Sequence, residues 1–269
     1  MDKKIGFIGC GNMGKAILGG ILADKNIAPE SIWVYTPNAS TVQVIVDEYG
    51  VCGASSAQAV AQTADIIFAA VKPNIILKAL GDIASHLDKN TLIISIAAGV
   101  TLESLASVLG HDRKIIRAMP NTPSLVNAGM TSITPNALVT QDELHATLAL
   151  FRSFGKAESV PEEIIHPVVG VSGSAPAYVF LFIEALADAA VLGGMSRKQA
   201  YQFAAQAVMG SAKMVLDTGL HPGALKDMVC SPGGTTIEAV RVLEEKGLRS
   251  AVMEAVAACM EKSRQMGKQ

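Results

Sequence analysis

The chain is poor in the features that mark nucleic-acid, membrane or metal chemistry. Aromatic residues make up 4% of its 269 positions, charged side chains 17%, and the formal net charge is -2. With no basic surplus there is nothing to neutralise a phosphate backbone or hold an anionic membrane surface. With so few aromatics there is no platform for stacking bases. Four cysteines, Cys10, Cys52, Cys230 and Cys259, lie far apart, form no C-x-x-C and have no histidine at ligand spacing. A disulfide framework and a zinc site are thereby excluded, and the reading is reduced thiols in a cytoplasmic protein with no metal. No catalytic triad or paired-carboxylate motif is present, and the five histidines (86, 111, 145, 166 and 221) read as surface or structural. Asp2-Lys3-Lys4 before an apolar run superficially resembles a signal peptide, but Lys15 interrupts that run. The longest uncharged stretch, 168–183, contains Pro176 and is followed by Glu184 and Asp188, so it reads as a buried helix rather than a membrane span.

What is present begins at the front of the chain. The apolar run Ile5-Gly6-Phe7-Ile8 leads into Gly9-Cys10-Gly11-Asn12-Met13-Gly14, and then into Lys15-Ala16-Ile17-Leu18. This is G-x-G-x-x-G between a strand and a helix start, the context a dinucleotide site requires. The first glycine makes the tight turn, the second leaves room for a pyrophosphate, and the third lets helix and strand pack closely. The free N–H groups of the helix start then point at the anion.

The first half goes on alternating. Apolar runs at 32–35, 66–71, 92–96 and 114–119 read as strands, with helices at 40–49, 74–86 and 101–109 between them. Segments 130–134 and 157–160 read as edge strands around a helix at 141–154. Near-continuous apolar strands separated by helices predict a parallel sheet covered on both faces. After Glu162 only helices are expected, at 175–192, 197–216, 222–229, 235–243 and 248–266, with Ser196 as a cap and Gly219 and Gly247 as stops. The expected architecture is α/β: a Rossmann-like doubly wound sheet domain, 1–162, followed by an all-α domain, 163–269. Segment 178–195 is apolar around most of its circumference, which reads either as the centre of a helical bundle or as a subunit interface. A helical domain of about 100 residues buries little on its own, which favours the interface.

Residues at the expected strand ends carry the candidate chemistry. Strand two ends in Thr36-Pro37-Asn38-Ala39-Ser40, with no carboxylate to repel a 2′-phosphate, which favours NADPH, with NADH weaker. Thr36, Asn38 and Ser40 would hold that phosphate; a plain turn and helix cap is the competing reading. Ala70-Val71-Lys72-Pro73 ends a central strand, where Lys72 either approaches the ribose or pyrophosphate or is simply solvated. Ala97-Ala98-Gly99 offers small side chains beside a nicotinamide, or tight helix packing. Met119-Pro120-Asn121-Thr122-Pro123 places the Asn121 carboxamide in the nicotinamide region, or forms a structural turn. In the second half, Ser231-Pro232-Gly233-Gly234-Thr235-Thr236 precedes a helix and reads as a cradle for a carboxylate.

These motifs, together with Gly170-Val171-Ser172-Gly173-Ser174-Ala175-Pro176-Ala177-Tyr178 and His221-Pro222-Gly223 leading to Leu225-Lys226-Asp227, resemble the pyrroline-5-carboxylate reductase family over essentially the whole chain. The resemblance implies reduction of Δ1-pyrroline-5-carboxylate to L-proline with NADPH, closing proline biosynthesis. It implies a homodimer through the C-terminal helices, assembled in some members into larger rings. Carried over by position, Gly233, Gly234, Thr235 and Thr236 bind the substrate carboxylate, and Thr236 hydrogen-bonds the ring nitrogen. Ile8, Gly9, Cys10, Gly11, Asn12, Met13, Thr36, Ala70, Val71, Lys72, Pro73 and Ala98 bind NADPH. Glu162 matches an acidic position near the substrate in some relatives. Ala57 and Met228 depart from the family pattern, which bears on cofactor contacts rather than on the reaction. A β-hydroxyacid dehydrogenase shares Gly9 to Gly14 but needs a lysine on the long helix, and 170–195 contains none. A non-catalytic NADPH sensor would keep the fingerprint without needing 231–236.

Overall fold

A computed structural model describes residues 3–23 and 27–267. Contacts divide the chain into two compact units, Met1–Gly173 with Met260–Gln269, and Ser174–Cys259.

The first unit is built on eight strands: β1 (Ile5–Ile8), β2 (Ile32–Tyr35), β3 (Cys52–Gly53), β4 (Ile66–Ala69), β5 (Leu92–Ser95), β6 (Lys114–Met119), β7 (Gly129–Pro135) and β8 (Gly155–Ser159). Their order is β3-β2-β1-β4-β5-β6-β7-β8, and all pairs are parallel except β6 with β7. The connection between those two is a single turn at Thr122–Val126, too short for a crossover, so the chain must double back. Helices α1 (Asn12–Ala23), α2 (Ala39–Tyr49), α3 (Ala57–Thr63), α4 (Pro73–Gly81), α5 (Leu102–Leu109) and α6 (Gln141–Arg152) make the crossovers.

Alternation along each buried strand feeds two cores. Ile5, Phe7, Ile66, Phe68, Ile94 and Ile116 face one side, where Phe7 stacks on Phe68 with centroids 4.9 Å apart. Ile8, Ile67, Ile93 and Ile115 face the other, against Ile76 and Leu80 of α4 and Leu105 of α5. This two-sided burial is why the strands read as continuous apolar runs. The switch of direction beside β1, with β2 on one flank and β4 on the other, opens a crevice at the carboxyl ends of these strands.

The chain then runs through α7 (Ile165–Val168) and a widened π turn, Val169–Gly173, before the helices α8 (Ala175–Leu192), α9 (Arg197–Thr218), α10 (Pro222–Val229), α11 (Thr235–Glu245) and α12 (Leu248–Met266). Ser196 caps α9 by accepting from the Gln199 N–H, and Gly219 ends it in the left-handed conformation at φ 64°. The buried apolar residues of the second unit are Ala187, Ala200, Ala204 and Leu225. The expectation of a buried helix over 168–183 is therefore corrected within the single chain, where Phe180 and Leu181 are exposed at 60% and 66%. Helical residues Glu162–Leu192 are long and apolar enough to cross a membrane by length and composition alone, and few of them are buried. A helix apolar all round needs covering on several sides, and one small helical layer does not provide it.

Candidate active site

The glycine fingerprint adopts the geometry its spacing implies. Gly9 follows β1 at φ +78°, and a Cβ there would lie 2.5 Å from Val71 Cγ1 and 2.7 Å from the Ala70 carbonyl oxygen. The Gly9 N–H donates to Tyr35 O and the Ala70 N–H to Ile8 O, both at 2.8 Å, so the turn is pinned to β2 and β4. At Gly14 a Cβ would touch Ala70 Cβ at 3.3 Å and Cys10 Sγ at 3.4 Å, which is the close helix–sheet approach. At Gly11 it would meet nothing within 4 Å. Packing therefore does not demand a glycine at 11, whereas a ligand lying against the backbone does. The first bond of α1 runs from the Lys15 N–H to Gly11 O at 2.8 Å, which leaves the amides of the preceding turn for an anion. These residues fit the pyrophosphate of a dinucleotide. Cys10 is buried, and burial pushes its thiol up to about 12, with Lys15 pulling the other way and Glu48 adding to the rise; it is neutral and inert.

A cavity of about 570 Å³ opens at the end of β2, lined by Tyr35, Thr36, Pro37, Ala39, Gly53 and Ser55 among others, none of them acidic. Thr36 is buried and its hydroxyl donates to Asn38 O at 3.0 Å. Asn38 caps α2, its Oδ1 accepting from the Ser40 N–H at 3.0 Å and the Ser40 hydroxyl at 2.7 Å. The turn-and-cap geometry thus occupies these polar groups, and the Thr36 donor is turned inward.

The remaining strand ends are laid out side by side by the sheet. Lys72 is exposed, precedes α4 and makes no side-chain cap, and Pro73 occupies the first turn. Ala97 is buried, Ala98 half-buried, and Gly99 turns at φ +79°. Asn121 is where the sequence put it, but its amide is not free. Nδ2 donates to Ser172 O at 3.1 Å, and Oδ1 accepts the Met130 N–H at 2.9 Å. A buried carboxamide with both ends bonded to the protein holds the loop, which supports the structural-turn reading of Asn121.

Glu162 is half-buried, and one of its carboxylate oxygens is engaged by the protein. Its Oε1 accepts from Arg117 Nη1 and from the Leu102 N–H, each at 2.9 Å. It lines a cavity of about 290 Å³ with Gly99, Thr101, Arg117, His166 and Arg264. His166 Nδ1 sits 2.9 Å from Ser263 Oγ. Its pKa is lowered by burial first, then by Arg264 and Arg117, against Glu162 and Glu261. Sequence reasoning singled out Glu162 but missed its partners in this cluster. The available signal was Arg117 itself, a charge inside the apolar run Lys114–Met119.

In the second unit, Ser231 to Gly234 forms a turn closed by the Gly234 N–H donating to Ser231 O at 3.0 Å. Gly233 is left-handed at φ +67° with open space on its Cβ side. Gly234 caps α11 without any side-chain hydrogen bond, so the amides of its first turn keep their capacity for an external acceptor, with Thr235 exposed and Thr236 half-buried beside them. Among the described residues no group of three or more His, Cys, Asp or Glu could hold a metal ion.

Comparison with known proteins agrees with this layout. Residues 4–99 match a family described as NADP oxidoreductase, coenzyme F420-dependent, and residues 162–266 match pyrroline-5-carboxylate reductase dimerisation. The uncovered apolar helices thus fall in a dimerisation domain. The pyrroline-5-carboxylate reductase of Escherichia coli K12 is 70% identical over 268 residues, covering 100% of both chains. Among solved structures, a pyrroline-5-carboxylate reductase from Coxiella burnetii superposes with a TM-score of 0.94 at 34% identity, over 100% of both chains. The Plasmodium falciparum pyrroline carboxylate reductase with NADP bound gives 0.89 at 35% identity, over 99% of this chain and 98% of that one. Matched along its full length at 70% identity, and over residues 162–266 by the dimerisation family, the chain belongs to the pyrroline-5-carboxylate reductase family.

Proposed function

We propose that this chain reduces Δ1-pyrroline-5-carboxylate to L-proline with NADPH, and that its two units divide the work between cofactor and substrate. The carrying observation is the start of α11: Gly233 and Gly234 bare its amides, no side chain caps them, and two threonines flank them. That arrangement suits a carboxylate, whose charge is favoured at a helix N-terminus. Gly233, Gly234, Thr235 and Thr236 hold the carboxylate, and the Thr236 hydroxyl orients the ring nitrogen. When bound, NADPH supplies a hydride to the imine carbon, while the nitrogen keeps or gains its proton. A protonated imine already carries the positive charge that attracts hydride, so a site poor in acids and bases is sufficient.

In the first unit, Ile8 to Met13 cradle the pyrophosphate, and Ala70 to Pro73 with Ala98 flank the remainder of the cofactor. Thr36 and Asn38 shape the 2′-phosphate end; with no acidic residue in that cavity, NADPH is preferred and NADH is weaker. The exposed apolar faces of α8 and α9 pair two copies, and larger ring-shaped assemblies are built from such dimers. Four free cysteines suit the reducing cytoplasm, where we place the protein.

The test is a steady-state assay of NADPH oxidation with the cyclic imine, run beside 2-oxo and 3-hydroxy acids. Thr236→Ala is expected to lower kcat by about 10- to 100-fold with NADPH affinity nearly unchanged. An unaltered rate removes Thr236 from its role, and preference for a hydroxy acid overturns the reaction.

A further inference from the structure

Arg117 lies inside β6, opposite Ser95 of β5 and Thr134 of β7, with its side chain only 4% exposed. Its neighbours Ile115 and Ile116 are fully buried hydrophobes. A charge in such a strand is costly unless paired and adds nothing to packing that an aliphatic residue would not. Its partner is Glu162, and the same Oε1 also takes the first amide of α5 at Leu102. Thr101 caps α5 through the Ser104 N–H at 3.0 Å, so carboxylate and hydroxyl together bind the orphan amides of this helix. The segment entering α5 is Ala97-Ala98-Gly99-Val100-Thr101. It is held on another side by the C-terminal turn, where Met266 Cβ lies 3.6 Å from the position of a Gly99 Cβ. The His166–Ser263 contact fastens α7 to that same turn.

We propose that Glu162 is a positioning residue for hydride transfer: the Arg117–Glu162 pair clamps the 97–101 loop beside the nicotinamide without touching substrate. The proposal rests on the reading of the first unit as the NADPH-binding half of the reductase. The loop leaves the carboxyl end of β5, where open α/β sheets present their ligands. Hydride transfer depends on sub-ångström placement, and a displacement of about 1 Å costs about 100-fold. Glu162 shares its charge with a buried arginine and a helix amide, so it acts through the backbone of that loop.

The test compares Glu162→Ala, Glu162→Gln and the wild-type full-length enzyme. The alanine variant is expected to lose about 10- to 100-fold in kcat, with a larger isotope effect on deuterated NADPH. The Kd for NADP+ and the KM for the imine should stay within about 3-fold. Glutamine keeps a neutral acceptor for both donors and is expected to lose only about 3-fold in kcat, with an isotope effect between those of wild type and the alanine variant. Wild-type kcat and isotope effect in the alanine variant overturn the proposal. So does a KM for the imine raised by more than about 10-fold at unchanged kcat, since that marks a substrate contact. If the alanine variant does not fold, the glutamine variant decides, with about a 3-fold loss and a raised isotope effect supporting the clamp and wild-type values refuting it. Absence of turnover by the wild-type chain overturns the assigned reaction and this proposal together; full turnover with unaltered variants overturns the proposal alone.

Discussion

Replacing either of two glycines in the fingerprint by alanine separates folding from cofactor binding. At Gly9 the backbone is left-handed, which costs about 1–2 kcal/mol for an L side chain. The new methyl would also press on Val71 and the Ala70 carbonyl at 2.5 and 2.7 Å, and overpacking costs about 1–3 kcal/mol. Together these come to about 2–5 kcal/mol, or a Tm lower by roughly 5–15 °C for a unit of this size. At Gly11 the backbone is not left-handed and the methyl meets nothing within 4 Å. There alanine restricts the unfolded chain and leaves Tm unchanged or raised slightly. In the proposed cofactor site the same methyl would stand between the pyrophosphate and the amides. Losing one hydrogen bond to a charged group costs about 1.5–3 kcal/mol, so Kd for NADPH rises by about 10- to 100-fold. Thermal melts without cofactor and isothermal titration with NADPH read the two effects separately. If Gly11→Ala melts as low as Gly9→Ala, or binds NADPH as tightly as wild type, the assignment of the open side of Gly11 to the ligand is wrong.

Phe180→Glu places a charge on the exposed apolar face of α8 and is expected to weaken self-association by more than about 100-fold; sedimentation showing an intact oligomer at micromolar concentration would count against that face as the interface. For His166, the lowered pKa means that the native state binds a proton less readily than the unfolded chain. Stability is full above about pH 6.5, falls as the pH drops through that value, and levels off below the native pKa. His166→Asn, which keeps a partner for Ser263, should flatten this limb in melts recorded between about pH 7 and 5, and an unchanged slope would acquit His166.

The sequence was most legible where one residue pattern had one structural meaning. The runs at 32–35 and 114–119 are β2 and β6 to the residue, and α8, α10 and α12 begin and end where periodicity and caps placed them. The expected helix over 74–86 breaks after Gly81 into a short turn at Ala84–His86, and Ser153 and Phe154 lie beyond the end of α6. β3 and α3 were not read at all, because a two-residue strand and a seven-residue helix carry too little periodicity. The expected edge strand at 130–134 turned out interior, β8 being the edge, since strand order depends on pairing between distant segments. The fingerprint was readable because its glycines answer to local backbone geometry. Asn121 and Glu162 were placed correctly along the chain, but their partners Ser172, Met130, Arg117 and Leu102 come from other elements. Whether a polar side chain is free for a ligand is a tertiary property, invisible until those partners are in place.

The scarcity of buried side chains in the C-terminal helices ties the protein's integrity to its abundance. A newly made copy holds one finished half and one that needs a twin, so mass action decides how much of it survives. Dilution should lower its melting temperature, whereas a self-sufficient protein would not notice. A cell that makes little of it loses more than in proportion, because solitary copies present greasy helices to chaperones and proteases.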